Sequence, residues 1–228
     1  MAWSGGKDCS LALHQILLEG KLEVIELHTT VNTDTQRVGM HGVSRELIEA
    51  QSNAIGIPVT FIEVPSETSN ASYEEAMSSY FESIIARDIQ KVGYGDIFLE
   101  DLKNYRDQML AKNDLGGIYP LWGQSTKWLA QEFIDRGFEA IICATRADDN
   151  LSLAGKHFDS QFLLDIPKDW DPCGENGEFH SFVLKGPLFK STVEVVAKST
   201  QTHTYGFKDS NNDDQTSSFD FVELVEMP

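Results

Sequence analysis

A glycine pair set between a hydroxyl and a Lys-Asp, Ser4-Gly5-Gly6-Lys7-Asp8-Cys9-Ser10, runs straight into a helix-like stretch, Leu11 to Leu18, that ends at Gly20. This feature limits the fold most, because a tight loop has to deliver the chain into a helix N-terminus. Glycines permit the turn and a close backbone approach to a ligand. The first N–H groups of a helix are unpaired and carry partial positive charge, which suits a phosphate. Lys7 adds a mobile cation, and Asp8 a carboxylate able to hold Mg²⁺ against phosphate oxygens. The string is neither a Walker A loop nor a dinucleotide Gly-x-Gly-x-x-Gly. A Gly-Gly turn capping an ordinary helix is the plainer alternative, and the adjoining Lys-Asp weighs against it. The expectation is ATP bound at Ser4, Gly5, Gly6, Lys7, Asp8, Cys9 and Ser10.

The 228 residues allow one large domain or two small ones, with ample length for a buried core. No run approaches the length of a membrane span, and the polar N-terminus does not read as a signal peptide. Cys9, Cys143 and Cys173 are scattered, odd in number and without a C-x-x-C, which fits a reducing cytoplasm rather than a disulfide framework or a zinc site. The net charge is −18, from 36 acidic against 18 basic residues, with no Lys/Arg cluster. A nucleic-acid partner gripped by its phosphates needs a basic face, so none is expected, and no membrane partner either.

The first half alternates strand and helix, the pattern of a parallel α/β sheet. Strands are expected at Leu22–Leu27, Val59–Val64, Lys91–Tyr94, Ile118–Trp122 and Ala140–Ala144. Helices are expected from Ser44 to Gly56, with Leu47, Ile48, Gln51 and Ala54 on the apolar face, after a Ser72/Glu75 capping box, up to Lys112 and from Thr126 to Arg136. The stripe Ala76, Met77, Tyr80, Phe81, Ile84, Ile85 and Ile89 reads as core without function, and Gly116-Gly117 as a helix breaker. His28 and Thr29 follow a strand end, where ligands gather in open sheets. An adenine or ribose contact is expected there, through backbone more than imidazole. Trp122, Trp128 and Trp170 read as core or pocket wall. From Asp159 the pattern loosens into short strands, with an acidic loop from Lys208 to Ser218 before a last strand, Phe219–Val225. Only Met1, Ala2 and Trp3 precede the loop, although such a loop follows a buried strand. Either that strand is a stub or the natural start lies upstream, and the second is expected, since a lost central strand would leave neighbouring backbone unpaired.

A second dense stretch is Asp171-Pro172-Cys173-Gly174-Glu175-Asn176-Gly177-Glu178-Phe179-His180-Ser181-Phe182. Gly174 and Gly177 would bend the backbone so that Glu175, Asn176 and Glu178 converge; an Asx-rich turn before a strand is the alternative. Gly95-Asp96-Ile97 with Glu100-Asp101 could meet Mg²⁺ or an acceptor amine, or be a solvated acidic turn.

The Ser4–Asp8 string closely resembles the PP-loop of ATP pyrophosphatases, with Cys9 in the place of a Ser, and a thiol is the weaker hydrogen-bond partner. Together with Gly95–Asp101, Pro120-Leu121-Trp122-Gly123, Gly174–His180 and Met40-His41-Gly42-Val43, it resembles the diphthine–ammonia ligase family, from Trp3 to about Phe189. The resemblance implies an α/β fold, an open parallel sheet of adenine nucleotide alpha hydrolase-like (HUP/PP-loop) type with a smaller mixed α/β C-terminal domain. It implies a PP-loop ATP-binding domain over 1–124 and an acceptor-substrate domain over 125–228. Its chemistry would be ATP-dependent amide formation: an acceptor carboxylate, on elongation factor 2 if diphthamide is made, becomes an acyl-adenylate that ammonia attacks. Lys7, Glu175 and Glu178 would then be catalytic, Asp8 the Mg²⁺ ligand, and Gly95, Asp96, Glu100, Asp101, Gly174, Asn176 and His180 the acceptor site. A different acceptor and a non-catalytic nucleotide sensor are the alternatives.

Overall fold

The computed structural model describes residues 1–39, 41–65, 70–147, 153–208 and 214–227. Met40 and residues 209–213, in the expected acidic loop, lie outside them. The chain is a mixed α/β structure. Helix α1 (Lys7–Glu19) follows the glycine loop and ends at Gly20, whose φ of 62° is the left-handed turn that glycine alone adopts without cost. Strand β1 (Leu27–Asn32), helix α2 (Arg45–Ile55) and strand β2 (Val59–Val64) form one parallel βαβ unit with Leu27 opposite Val59. Helix α3 (Asn70–Ile85) leads to strand β3 (Lys91–Gly93), and helix α4 (Glu100–Ala111) to strand β4 (Gly116–Ile118), parallel to β3.

Met1–Trp3 join these two pairs. The Ala2 N–H donates to Gly93 O at 2.9 Å, His28 N–H to Met1 O at 2.9 Å, and Trp3 N–H to His28 O at 2.8 Å. A three-residue stub thus fills the central position and leaves the loop at the carboxyl ends of the parallel strands.

Helix α5 (Thr126–Asp135) precedes strand β5 (Glu139–Arg146); helix α6 (Ser160–Asp165) and strand β6 (Phe179–Lys185) follow. Strands β7 (Val195–Lys208) and β8 (Asp214–Glu226) complete an antiparallel sheet of order β6-β5-β8-β7. Its edge strand β6 reaches the loop: the Val183 N–H donates to Gly5 O at 2.9 Å. One core cluster joins Leu13, Leu47, Ile48, Phe133, Ile142 and Phe182; a second packs Met77, Phe81 and Ile84 of α3 against Val92, Leu110 and Leu115.

Several elements depart from the sequence expectation. The first strand runs Leu27–Asn32 rather than Leu22–Leu27, so His28 and Thr29 lie inside it and not beyond its end; pairing starts at Leu27 opposite Val59, and Ile25 before it is exposed. Ser72 lies inside α3, which starts at Asn70. Gly116-Gly117 belong to a strand, not a break, and Ile118 ends it; a Cβ on Gly117 would sit 2.6 Å from the Tyr119 ring and 2.8 Å from Asp107 Oδ1. Beyond Asp159 stand a helix and a long hairpin, which takes in 214–218 of the expected loop; long-range pairing holds strands of weak local pattern. Trp128 is half exposed, while Trp170 is buried.

Candidate active site

The glycine loop is held from three sides. Gly5 adopts φ +79°, and buried Gln51 of α2 donates from Nε2 to Gly5 O at 3.0 Å and Val183 O at 2.6 Å while its Oε1 accepts from Trp3 Nε1 at 2.9 Å. The Lys7 N–H donates to Ser181 Oγ of β6 at 3.1 Å. Inside the loop, Ser10 Oγ and Cys9 Sγ both donate to Gly6 O, at 2.9 and 3.1 Å. The Cys9 thiol thus serves the loop's own turn, and burial raises its pKa.

Gly95, after β3, approaches the first turn of α1 so closely that a Cβ there would lie 2.8 Å from both Asp8 C and Cys9 N. The Pro120–Gly123 turn fixes that segment from below: Leu121 is buried and the Gly123 N–H donates to Ile97 O at 2.8 Å.

Above the loop opens a cavity of about 360 Å³. Ser4, Lys7, Asp8, Cys9, His28, Thr29, Gly95, Asp96, Gly174, Glu175 and His180 line it, so the glycine loop, the Gly95 segment and the Gly174–His180 turn meet there, while the Pro120–Gly123 turn supports them from outside. Gly5, Gly6, Ser10, Glu100, Asp101, Asn176 and Glu178 do not. Glu100 and Asp101 are exposed in the first turn of α4. Of Glu175, Asn176 and Glu178, expected to converge, only Glu175 lines the cavity, while Asn176 and Glu178 bond to each other. Glu178 is buried, and its carboxylate accepts from Asp171 N–H at 3.0 Å, Asn176 N–H at 3.0 Å and Asn176 Nδ2 at 3.1 Å. It holds the turn together.

The polar half of the cavity is a cluster of mutually perturbed charges. Lys7 Nζ, almost wholly buried, donates to Asp8 Oδ2 at 2.8 Å and to Cys173 O. Burial works to discharge the lysine, but Asp8 and the other negative groups around it outweigh burial and raise its pKa. Asp8 itself is pushed up by burial, with Asp171 adding to the effect against the pull of Lys7. Glu175 is pushed up to about 7, first by burial and then by Asp8, with Asp96 adding to it. Burial also raises Asp96, whose Oδ2 lies 2.8 Å from Arg106 without hydrogen-bond alignment. The His41 and His180 rings meet at 4.7 Å between centroids, tilted by 41°; burial lowers His41 to about 4 and His180 well below its usual value. His180 Nε2 has no partner among the described residues. The other half is apolar, walled by Tyr73, Met77, Leu99, Leu102 and Met109.

Sequence reasoning missed Met77, taken for inert core, and Gln51, counted with the apolar face of its helix. It also missed His41, Cys173 and Ser181 as site neighbours. Met40-His41-Gly42-Val43 carried a signal for His41; nothing local marks Gln51, whose partners lie 46 and 132 residues away.

The sequence that builds this cavity has relatives among known proteins. The family description "Diphthamide synthase N-terminal domain" matches residues 1–115, and "Diphthamide synthase C-terminal domain" matches 125–214. The chain is 27% identical to a diphthine–ammonia ligase of Bos taurus, over 88% of this chain and 84% of that protein. The Homo sapiens diphthine–ammonia ligase is 26% identical over the same shares. That of Schizosaccharomyces pombe is 24% identical over 89% of this chain, which spans only 37% of the yeast protein. The two matched regions cover most of the chain, including the loop, the Gly95 segment and the Gly174–His180 turn, and on that ground it belongs to the diphthamide synthase family.

Proposed function

We propose that this protein is an ATP-dependent carboxylate–ammonia ligase that amidates diphthine. The observation that carries this reading is the single cavity in which the glycine loop and Lys7 face Glu175 across a buried charge cluster. An acceptor carboxylate oxygen attacks the α-phosphorus of ATP and pyrophosphate leaves. Ammonia then attacks the acyl carbon, AMP departs, and one ammonium proton is lost to a base. A carboxylate is a poor electrophile at neutral pH, so activation is needed, and the protein's part is positioning and charge stabilisation.

In this reading the backbone N–H groups at Ser4–Gly6 and the start of α1 take the phosphates, and Lys7 neutralises charge that develops on pyrophosphate. Glu175 accepts the proton from ammonia; its raised pKa, near 7, suits that task at neutral pH. Glu178 has a positioning role, holding the turn that presents Glu175. Gly95, Asp96, Gly174 and His180 border the acceptor, and His28 and Thr29 the base and ribose. Asp8 raises the pKa of both Glu175 and Asp96, and Asp96 that of Glu175, so the carboxylates feel one another and suit a divalent cation, although no group of three metal ligands stands together among the described residues. Mg²⁺ commonly takes one or two carboxylates with substrate phosphates; here Asp8 would hold it, and it would supply charge compensation for the polyphosphate.

The parallel strands, joined by Met1–Trp3, support an open sheet of the HUP/PP-loop type. We assign residues 1–124 to ATP and residues 125–228, with β5, β6 and the Gly174 turn, to the acceptor. The buried free thiols Cys9, Cys143 and Cys173 support a cytoplasmic setting, and no helix among the described residues is long and apolar enough to cross a membrane. Incubated with ATP, Mg²⁺, ammonium and diphthine-bearing elongation factor 2, the protein should release AMP and pyrophosphate in step with amide formation. ADP and phosphate as products would overturn the mechanism.

A further inference from the structure

Behind the cavity wall at β1 runs a chain of polar groups, buried except for Arg87 at its outer end, that none of these steps uses. Glu26, just before β1, is 7% exposed, and Arg87 clasps both its oxygens, Nη1 to Oε2 at 2.6 Å and Nη2 to Oε1 at 3.0 Å. The Tyr80 hydroxyl, from α3, lies 2.7 Å from Glu26 Oε1 and 3.0 Å from His28 Nδ1. That hydroxyl has one proton to give. Burial pushes the Glu26 pKa up, but the Arg87 and Tyr80 hydrogen bonds outweigh it and hold the carboxylate ionised. An ionised carboxylate can only accept, so the Tyr80 proton goes to Glu26 and the Tyr80 oxygen accepts from His28. Nδ1 of His28 therefore carries the ring's proton. Burial, followed by neighbouring positive charges that include Arg106, keeps the ring neutral, and a neutral imidazole with Nδ1–H has a bare lone pair on Nε2.

His28 lines the cavity, and its Nε2 makes no hydrogen bond among the described residues. Beside it stand Tyr73, Met77 and Met109, side chains suited to the faces of a purine. We propose that the Arg87–Glu26–Tyr80 chain locks His28 as a hydrogen-bond acceptor, which selects a purine bearing an amino group at carbon 6 over one bearing a carbonyl there. The inference rests on the nucleotide reading above and adds to it the groups that read the base. A 6-amino group donates to Nε2. A 6-oxo group sets lone pair against lone pair and leaves two buried acceptors unpaired, which weakens binding roughly tenfold or more. His28 reads the base directly; Tyr80, Glu26 and Arg87 are positioning residues.

The test is calorimetric titration of ATP and ITP, with Mg²⁺, into wild type, Glu26→Gln and Tyr80→Phe, with thermal melts to check folding. Wild type should bind ATP roughly tenfold or more tighter than ITP. In Glu26→Gln, Arg87 keeps the amide oxygen, so the amide N–H faces Tyr80. Tyr80 then turns its own proton to His28 Nδ1, and Nε2 becomes a donor. ITP affinity should rise in absolute terms while ATP affinity falls, a gain that mere loosening of the fold cannot produce. Tyr80→Phe frees the tautomer and should collapse the preference without reversing it. Equal binding of ATP and ITP by wild type overturns the proposal and leaves the nucleotide reading standing, as does an unchanged preference in either folded variant. If wild type binds neither nucleotide, both readings fall.

Discussion

Glu175 and Glu178 are three positions apart in one turn and do different work. Glu178 accepts three N–H donors, and a glutamine there keeps one acceptor oxygen while turning an NH₂ toward the rest. Glu178→Gln should therefore lower the melting temperature and cost about 1–3 kcal/mol, since buried donors lose their partner. Glu175→Gln should leave ATP affinity intact and cut amide formation by about 10²–10⁴-fold, the usual scale for a general base. Its stability should also change with pH in a defined direction. The folded-state pKa of Glu175, about 7, lies above its ordinary 4.5, so the native protein holds more protons than the unfolded chain between those values. Wild-type stability should fall as pH rises through that window, and the glutamine variant lacks this contribution. Its advantage should be absent near pH 4 and reach about 1–2 kcal/mol above pH 7, reduced from the full shift because Glu175 is partly exposed and shares its protons with Asp8. Urea titrations of nucleotide-free protein at pH 4.5, 6 and 8 measure it, and parallel curves would mean that Glu175 is not perturbed.

At the scale of elements, α1, α2, β6 and the stub Met1–Trp3 act as one clamp on the glycine loop, with Gln51 at their junction. Gln51→Leu keeps the volume but strands Trp3 Nε1 and Val183 O, while Gly5 O retains the Val183 N–H. The expected loss is roughly 1–3 kcal/mol for each buried orphan that water cannot reach, read from the urea midpoint. ATP binding should weaken as well, because the turn at Gly5 loses its tether. An unchanged midpoint would show that the clamp adds nothing. The local elements here were legible in sequence: Ser44 and Gly56 bracket α2, Pro58 and Pro65 bracket β2, and Gly-Gly-Lys-Asp announces a loop entering a helix. What could not be read was pairing at a distance. Gln51 looked like one more position on an apolar face because its partners are on other elements. Of the long β7–β8 hairpin only Phe219–Val225 was legible as a strand; β7 and the start of β8 are ordered by pairing with each other, and β8 by its short ladder on β5. Likewise, which of two glutamates faces the cavity depends on the left-handed turns at Gly174 and Gly177, with φ of 71° and 81°, a geometry that the residue types permit but do not impose.

On the scale of the whole molecule, the cavity is built by both halves of the chain. Its floor is the Ser4–Cys9 loop and its roof runs from Cys173 to Ser181, with Lys7 Nζ bonded to Cys173 O across the gap. The larger core cluster likewise mixes Leu13, Leu47 and Ile48 with Phe133, Ile142 and Phe182. A ligand in such a cavity should stabilise both halves together, and unfolding should be a single transition with or without it. At ATP concentrations of 100 times Kd, mass action adds about 2.7 kcal/mol to the folded state. For a domain of this length each kcal/mol moves the midpoint by about 2–4 °C, so the shift should be roughly 5–10 °C. The control is adenosine, which lacks the phosphates that bridge loop and roof and should give a smaller shift at equal concentration. Calorimetry that resolved two transitions, with ATP moving only the first, would mean that residues 1–124 hold the nucleotide alone. The contact between Lys7 and Cys173 would then contribute nothing to joining the halves, and acceptor binding would have to close the site.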